Sequence, residues 1–142
     1  MIAKQVHDKV TITASAAVTV TGNDAAVTLM PGLVNAFSFV LDVTAAATDA
    51  GDKLDVYVQT KIDGTNWVDV VHFTQVLGNG GAKRYVAKIV ADAALAEFEN
   101  GSALGAAAIR GLLGDEWRCR WVVVDAGTDN ASWTFSVVAC PM

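Results

Sequence analysis

Two histidines, His7 and His72, are the side chains whose ordinary titration suits proton transfer near neutral pH. A general base needs an orienting partner and a nucleophile within hydrogen-bond reach. No nucleophile elbow or comparable cysteine motif accompanies His72. It alternates with Val68, Val70 and Thr74, opposite a face carrying Trp67, Val71 and Phe73, and reads as a surface or interface histidine. Asp49, Asp52 and Asp55 bring oxygen donors of the kind calcium takes. Their spacing is not that of an EF-hand, and acidic residues between strands are ordinarily solvated turns. Gly78-Asn79-Gly80-Gly81 has the composition of a phosphate cradle but lacks the Lys-Ser/Thr ending and the following helix. It reads as a flexible connection between strands. No catalytic, cofactor or metal site is expected.

The four tryptophans could stack on sugar rings. Trp117, Trp121 and Trp133 share the inward parity of their strands and read as core. Trp67 opens a strand just after a turn, where hairpin packing competes with a partly exposed, sugar-facing role. Arg118 and Arg120 project from the outer side of their strand beside Val122 and Val124. That mixture suits a protein interface, where Arg is enriched, and equally a solvated face.

Hydrophobic alternation with a period of two positions these residues. Val10, Ile12, Ala14, Ala16, Val18 and Val20 fall on one side of a first strand, over 10–20. A turn at Thr21-Gly22-Asn23-Asp24, a short strand over 25–30 and a turn at Pro31-Gly32 follow. A strand over 35–43 lines up Phe37, Phe39, Leu41 and Val43, and an Ala/Thr/Asp/Gly loop occupies 44–52. The clearest hairpin spans 54–76: Leu54, Val56, Val58 and Thr60, the turn Asp63-Gly64-Thr65-Asn66, then a strand from Trp67 to Val76. A strand over 83–90 comes next.

Between 91 and 114, Leu95, Phe98, Leu104, Ala108, Ile109 and Leu112 recur at helical spacing. Four glycines, at 101, 105, 111 and 114, argue against a long helix. One or two short helices or an ordered long loop are expected. Strands over 116–125 and 131–140 close the chain. The result is a mainly β chain: one antiparallel β-sandwich of about eight strands, jelly-roll or immunoglobulin-like, with a helical or looped insertion at 91–114.

At 142 residues the chain is expected to be one domain, 10–142, preceded by a polar arm over 1–9. A net charge of −5 argues against a nucleic-acid partner. No stretch approaches the roughly 18 uncharged apolar residues of a membrane span, and the N-terminus lacks the apolar core of a signal peptide. Cys119 and Cys140 fall on opposite sides of their strands, which disfavours a disulfide and suits a reducing compartment. The Asn100 and Asn130 N-x-S triplets read as chance. Apolar residues make up 53% of the chain, more than one small core needs. Self-association is therefore expected, with Leu95, Phe98, Ile109 and Leu112 covering a neighbour's sheet edge and Ile2 and Val6 anchoring the arm.

The hairpin Leu-Asp-Val-Tyr-Val-Gln-Thr-Lys-Ile-Asp-Gly-Thr-Asn-Trp-Val-Asp-Val-Val-His-Phe-Thr-Gln-Val (54–76) resembles small β-sandwich structural proteins of tailed bacteriophages and prophages. So does the closing pair Trp-Arg-Cys-Arg-Trp-Val-Val-Val-Asp-Ala-Gly…Ser-Trp-Thr-Phe-Ser-Val. The likeness covers about half the chain. An Asp-Gly-Thr-x-Trp hairpin also occurs in carbohydrate-binding sandwiches, so a carbohydrate-binding or adhesin-like module is the alternative. The resemblance implies a non-enzymatic virion component made in the host cytoplasm. The leading form is a capsid decoration (cement) protein on the capsid surface, partnered by the major capsid protein and working as a homo-oligomer, a trimer favoured. A head–tail or tail structural role is the variant. The motif is a hairpin, so no family site residue carries over.

Overall fold

The structure, a computed structural model, describes residues 9–29, 36–90 and 97–141. The arm with Ile2 and Val6, the Pro31-Gly32 turn and Leu95 lie outside the described residues. In chain order the strands are β1 (Val10–Val18), β2 (Gly22–Asn23), β3 (Val27–Thr28), β4 (Ala36–Ala45), β5 (Lys53–Lys61) and β6 (Trp67–His72). They continue with β7 (Val76–Leu77), β8 (Lys83–Val90), β9 (Ala108–Ile109), β10 (Glu116–Val124) and β11 (Trp133–Pro141).

Two antiparallel sheets pack face to face. The first runs β1-β11-β4-β8, and the second β2-β10-β5-β6-β9, with β3 also on β10 and β7 also on β5. Because β2 and β3 both pair with β10, they act as one interrupted strand. With the two-residue β7 and β9 set aside, the eight principal strands follow the order of a jelly roll, the first of the two sandwich topologies expected.

Strict alternation built the core. Phe37, Phe39, Leu41 and Val43 of β4, Leu54, Val56 and Val58 of β5, Trp117, Cys119 and Trp121 of β10, and Trp133, Phe135, Val137 and Ala139 of β11 are all buried. The centre is aromatic: the Trp117 ring lies 5.2 Å from Phe37 and 5.4 Å from Phe39, centroid to centroid. Its indole N–H donates to Gly114 O at 2.9 Å. Both cysteines are free thiols. Burial pushes the Cys119 thiol up to about 12, so it stays protonated and unreactive.

Local competition explains the departures. The first strand ends at Val18 rather than Val20, which is 71% exposed. Two register shifts against β11 break its alternation, so Ile12 and Thr13 are buried side by side while Ala14 and Ala16 are exposed. The expected turn at 21–24 is partly strand, because Gly22–Asn23 pairs with Arg120–Trp121. No helix forms in the described part of 91–114. Residues 97–107 are loop and turn, and Ala108–Ile109 adds to the edge of β6. The second hairpin strand stops at His72 instead of Val76, and Val76–Leu77 returns to pair with Lys53–Leu54.

The hairpin turn is held by one carboxylate. Asp63 Oδ1 accepts from the backbone N–H groups of Thr65 (2.9 Å) and Asn66 (2.7 Å), and Oδ2 accepts from Asn66 Nδ2 at 2.6 Å. Gly64 supplies the φ of +76° that the turn requires. Those donors hold the Asp63 carboxyl down at about 2, from 3.8. A depressed folded-state value stabilises above the unfolded value, and that contribution is lost as pH falls through the folded one. The parent should therefore lose its stability advantage over Asp63→Asn between about pH 4 and pH 2. Urea melts of both proteins across that range check it; an advantage independent of pH would contradict the turn assignment.

Candidate interaction face

The outer side of the second sheet gathers the chemistry. Register places Glu116, Lys61 and Trp67 in one row, then Arg118, Gln59 and Asp69, then Arg120, Tyr57 and His72. Paired residues share a face, so nine polar and aromatic side chains stand together on three strands.

One bulge makes this possible. Between Val58/Val71 and Gln59/Asp69 the register shifts, leaving Val70 as the extra residue of β6. Unbroken alternation puts His72 with Val68 and Val70. The bulge instead sends Val68, Val70 and Val71 into the core and leaves Trp67, Asp69 and His72 facing outward. His72 is accordingly not a surface histidine but a covered one, 7% exposed.

Its cover is the loop after residue 96. His72 Nδ1 meets Leu104 O at 2.7 Å, and Nε2 meets Asp55 Oδ1 at 2.8 Å. Both partners are acceptors, so the ring satisfies both at once only when each nitrogen carries a proton. Tyr57 stacks on the imidazole at 4.0 Å. Gln75 Nε2 donates to the other Asp55 oxygen at 2.8 Å. This pair resembles the base and orienter of a hydrolase, but the second ring nitrogen is spent on Leu104 O. Both ring nitrogens already face protein acceptors, so neither is open toward a substrate.

Arg110 completes the cover. It donates from Nη1 to Asp69 O (3.1 Å) and from Nη2 to Ser102 O and Oγ (3.2 and 3.1 Å), and its guanidinium lies 4.0 Å over Phe98. Phe98 and Leu112 are partly buried and pack against the chain's own core. Ile109 is half exposed, at 50%.

Arg118 and Arg120 do project outward, as expected, but they are engaged. Arg120 pairs with Asp69 at 3.2 Å and lies 4.0 Å over Tyr57. Arg118 Nε donates to Gln59 Oε1 at 2.7 Å, and its guanidinium lies 4.3 Å over Trp67. Lys61 sits over the same indole at 4.8 Å and pairs with Glu116 at 3.4 Å. Among the described residues Arg118 has no carboxylate within ion-pair distance. Burial first, and then the charge of Arg120, lower its affinity for its proton. Burial and the nearby Asp55 charge push the Tyr57 hydroxyl up.

The three loop aspartates do not converge. Asp49 Oδ2 accepts from the N–H groups of Thr128 and Asp129, at 3.0 and 3.2 Å. Asp52 Oδ1 accepts from the N–H of Ala126 at 2.9 Å, and Asp55 serves His72. The glycine-rich turn is packed too. Gly78 N–H donates to Asp52 O, and a Cβ there would meet Asp49 O at 1.8 Å.

No protein-family model matches this chain, and no curated protein matches it. The site therefore has to be read from its own chemistry. What sequence alternation misses is the cluster Asp55, Tyr57, Asp69 and Arg110. The signal for part of it is Asp55, Tyr57, Gln59 and Lys61 alternating along β5, opposite the outward parity of Arg118 and Arg120.

Proposed function

We propose that the chain is a non-enzymatic structural protein of a tailed-phage virion, a decoration protein that binds the assembled capsid through the outer face of the second sheet. The observation that carries the choice of face is the half-buried Arg118, stacked on Trp67 and unmatched by any carboxylate among the described residues. Trp, Tyr and Arg are the residue types that dominate binding energy at interfaces. Here they are held in place before any partner arrives, by Gln59, Asp69 and each other, so little side-chain entropy remains to be lost on docking. A partly desolvated guanidinium beside a second cation gains from an incoming carboxylate. The resemblance of residues 54–76 and of the closing strands to phage sandwich proteins supports the virion setting. The jelly-roll order agrees with it at the level of fold, which by itself does not select a function.

The mechanism is mechanical. A protein that binds only the assembled lattice stabilises it by mass action. A trimer of this chain suits the three-fold positions of such a lattice. A sugar module would need an open ring face on Trp67, whereas two cations already lie over that indole.

Sedimentation with heads assembled from the capsid protein of the same genome tests the reading. The parent should pellet with shells and not with unassembled subunits. Arg118→Ala should weaken attachment by about 2 kcal/mol, the scale of an interface hot spot, while melting like the parent. No pelleting of the parent, or binding on a glycan array, would overturn it.

A further inference from the structure

A sheet edge exposes a row of unpaired backbone donors and acceptors, and proteins blunt such edges to avoid stray pairing. Three of the four edges here are blunted. β1 is broken by two register shifts. The second sheet ends in β2 and β3 on one side and β9 on the other, each two residues long. The exception is β8. Its eight residues pair with β4 through an unbroken register from Val43/Lys83 to Ala36/Val90. Among the described residues no strand pairs with its other side.

The charge on this edge runs against that of the chain. The protein carries −5 overall, yet β8 holds Lys83, Arg84 and Lys88, all exposed, and no acid. Among the described residues Arg84 is the one of the three with an acidic partner, Asp42 at 3.0 Å. Cations of this kind disfavour a second copy of the same edge in its central register. In an antiparallel β8–β8 pair centred on Val86, Arg84 would stand opposite Lys88 twice, and like charges directly opposite destabilise a pair. The same cations select a strand of opposite sign.

The outward side chains, Arg84, Val86, Lys88 and Val90, alternate with Tyr85, Ala87 and Ile89, which face the core. On the core side a cleft of about 240 Å³ opens between β8 and β9, lined by Tyr85, Ala87, Phe73, Ala108 and Ile109 among others. Val86 and Ile109 stand 68% and 50% exposed at its rim.

We propose that the free edge of β8 docks an extended acidic segment of a partner protein, which adds to the first sheet as a fifth strand. Backbone pairing with β8 supplies the affinity, as in other strand additions. Specificity follows from alternation: Asp or Glu on the outward side, opposite Arg84 and Lys88, and apolar residues on the inward side, over the cleft. This edge lies on the sheet opposite the Arg118 face, so the inference holds whether or not that face binds a capsid.

The test uses the full chain and a fluorescein-labelled, end-blocked peptide of alternating valine and glutamate, matched to β8 in length. Binding is followed by anisotropy and located by amide hydrogen exchange. Saturable binding with slowed exchange confined to residues 83–90 is expected. The double variant Lys83→Glu/Lys88→Glu, which spares the Arg84–Asp42 pair, should melt like the parent, bind the peptide about tenfold more weakly or worse, and gain affinity for a valine–lysine peptide instead. A glutamate peptide N-methylated on the residues whose amides face β8 should not bind. Protection elsewhere, no binding, or equal affinity for the glutamate and lysine peptides would overturn the proposal. So would concentration-dependent protection of β8 without peptide, which would assign the edge to a second copy.

Discussion

Replacing Trp117 with alanine is expected to lower the unfolding free energy by about 3–5 kcal/mol, the cost of deleting a large core aromatic that its surroundings cannot refill. Trp117 is fully buried and touches both Phe37 and Phe39, so it joins the two sheets at their centre. Its loss also leaves Gly114 O without its 2.9 Å donor. That carbonyl cannot easily retreat, because the backbone at Gly114 is pressed against Lys61: a Cβ there would meet Lys61 O at 2.0 Å. Urea denaturation gives the number, and Trp67→Ala is the comparison. Trp67 is only half buried and lies on the outer face, so its loss should cost much less. Equal melts for Trp117→Ala and the parent would refute the assignment of the core.

The second large effect is expected at His72. His72→Ala removes the donor from Leu104 O and leaves Asp55 with Gln75 as its remaining partner. A covered acceptor without a donor and a carboxylate that loses one of its hydrogen-bond partners together should cost roughly 2–3 kcal/mol. The loss should also be local. The loop of 97–110 should become the first site of proteolysis, since His72 and Arg110 are its polar anchors on β6. A double-mutant cycle of His72→Ala with Asp55→Ala separates the pair from its surroundings: the two losses should add to clearly more than the double variant shows. Strict additivity, with no change in loop cleavage, would mean that the pair is not a clamp.

Alternation reads one thing well: which side of a regular strand faces the core. Along β10, β11 and the Phe37–Val43 stretch of β4 nothing interrupts it; the β4–β11 register slips only beyond Val43, at Thr44. Phe37, Phe39, Trp117, Trp121, Trp133 and Phe135 were therefore legible from sequence, as was the outward projection of Arg118 and Arg120. The Asp63–Asn66 turn was legible too, because its side-chain-to-backbone bonds close within four residues. The all-β sandwich follows from these local patterns, since each strand must bury one face against another sheet.

The interaction face was decided at longer range. A single extra residue, Val70, reverses the parity of β6, and no residue type near it marks the bulge. His72 changed faces for that reason. Its partners come from other elements: Asp55 lies 17 residues away and Leu104 lies 32. The helical spacing of Phe98, Leu104, Ala108 and Leu112 yielded to the loop because Arg110 and the edge of β6 offer its backbone better partners than a helix interrupted by glycines. Sequence alone thus determined the sandwich, its aromatic core and the sides of its regular strands, all of which repeat a period of two. Tertiary structure alone decided which outward side chains meet, because register, bulge and loop docking depend on strands distant in sequence and leave no periodic trace.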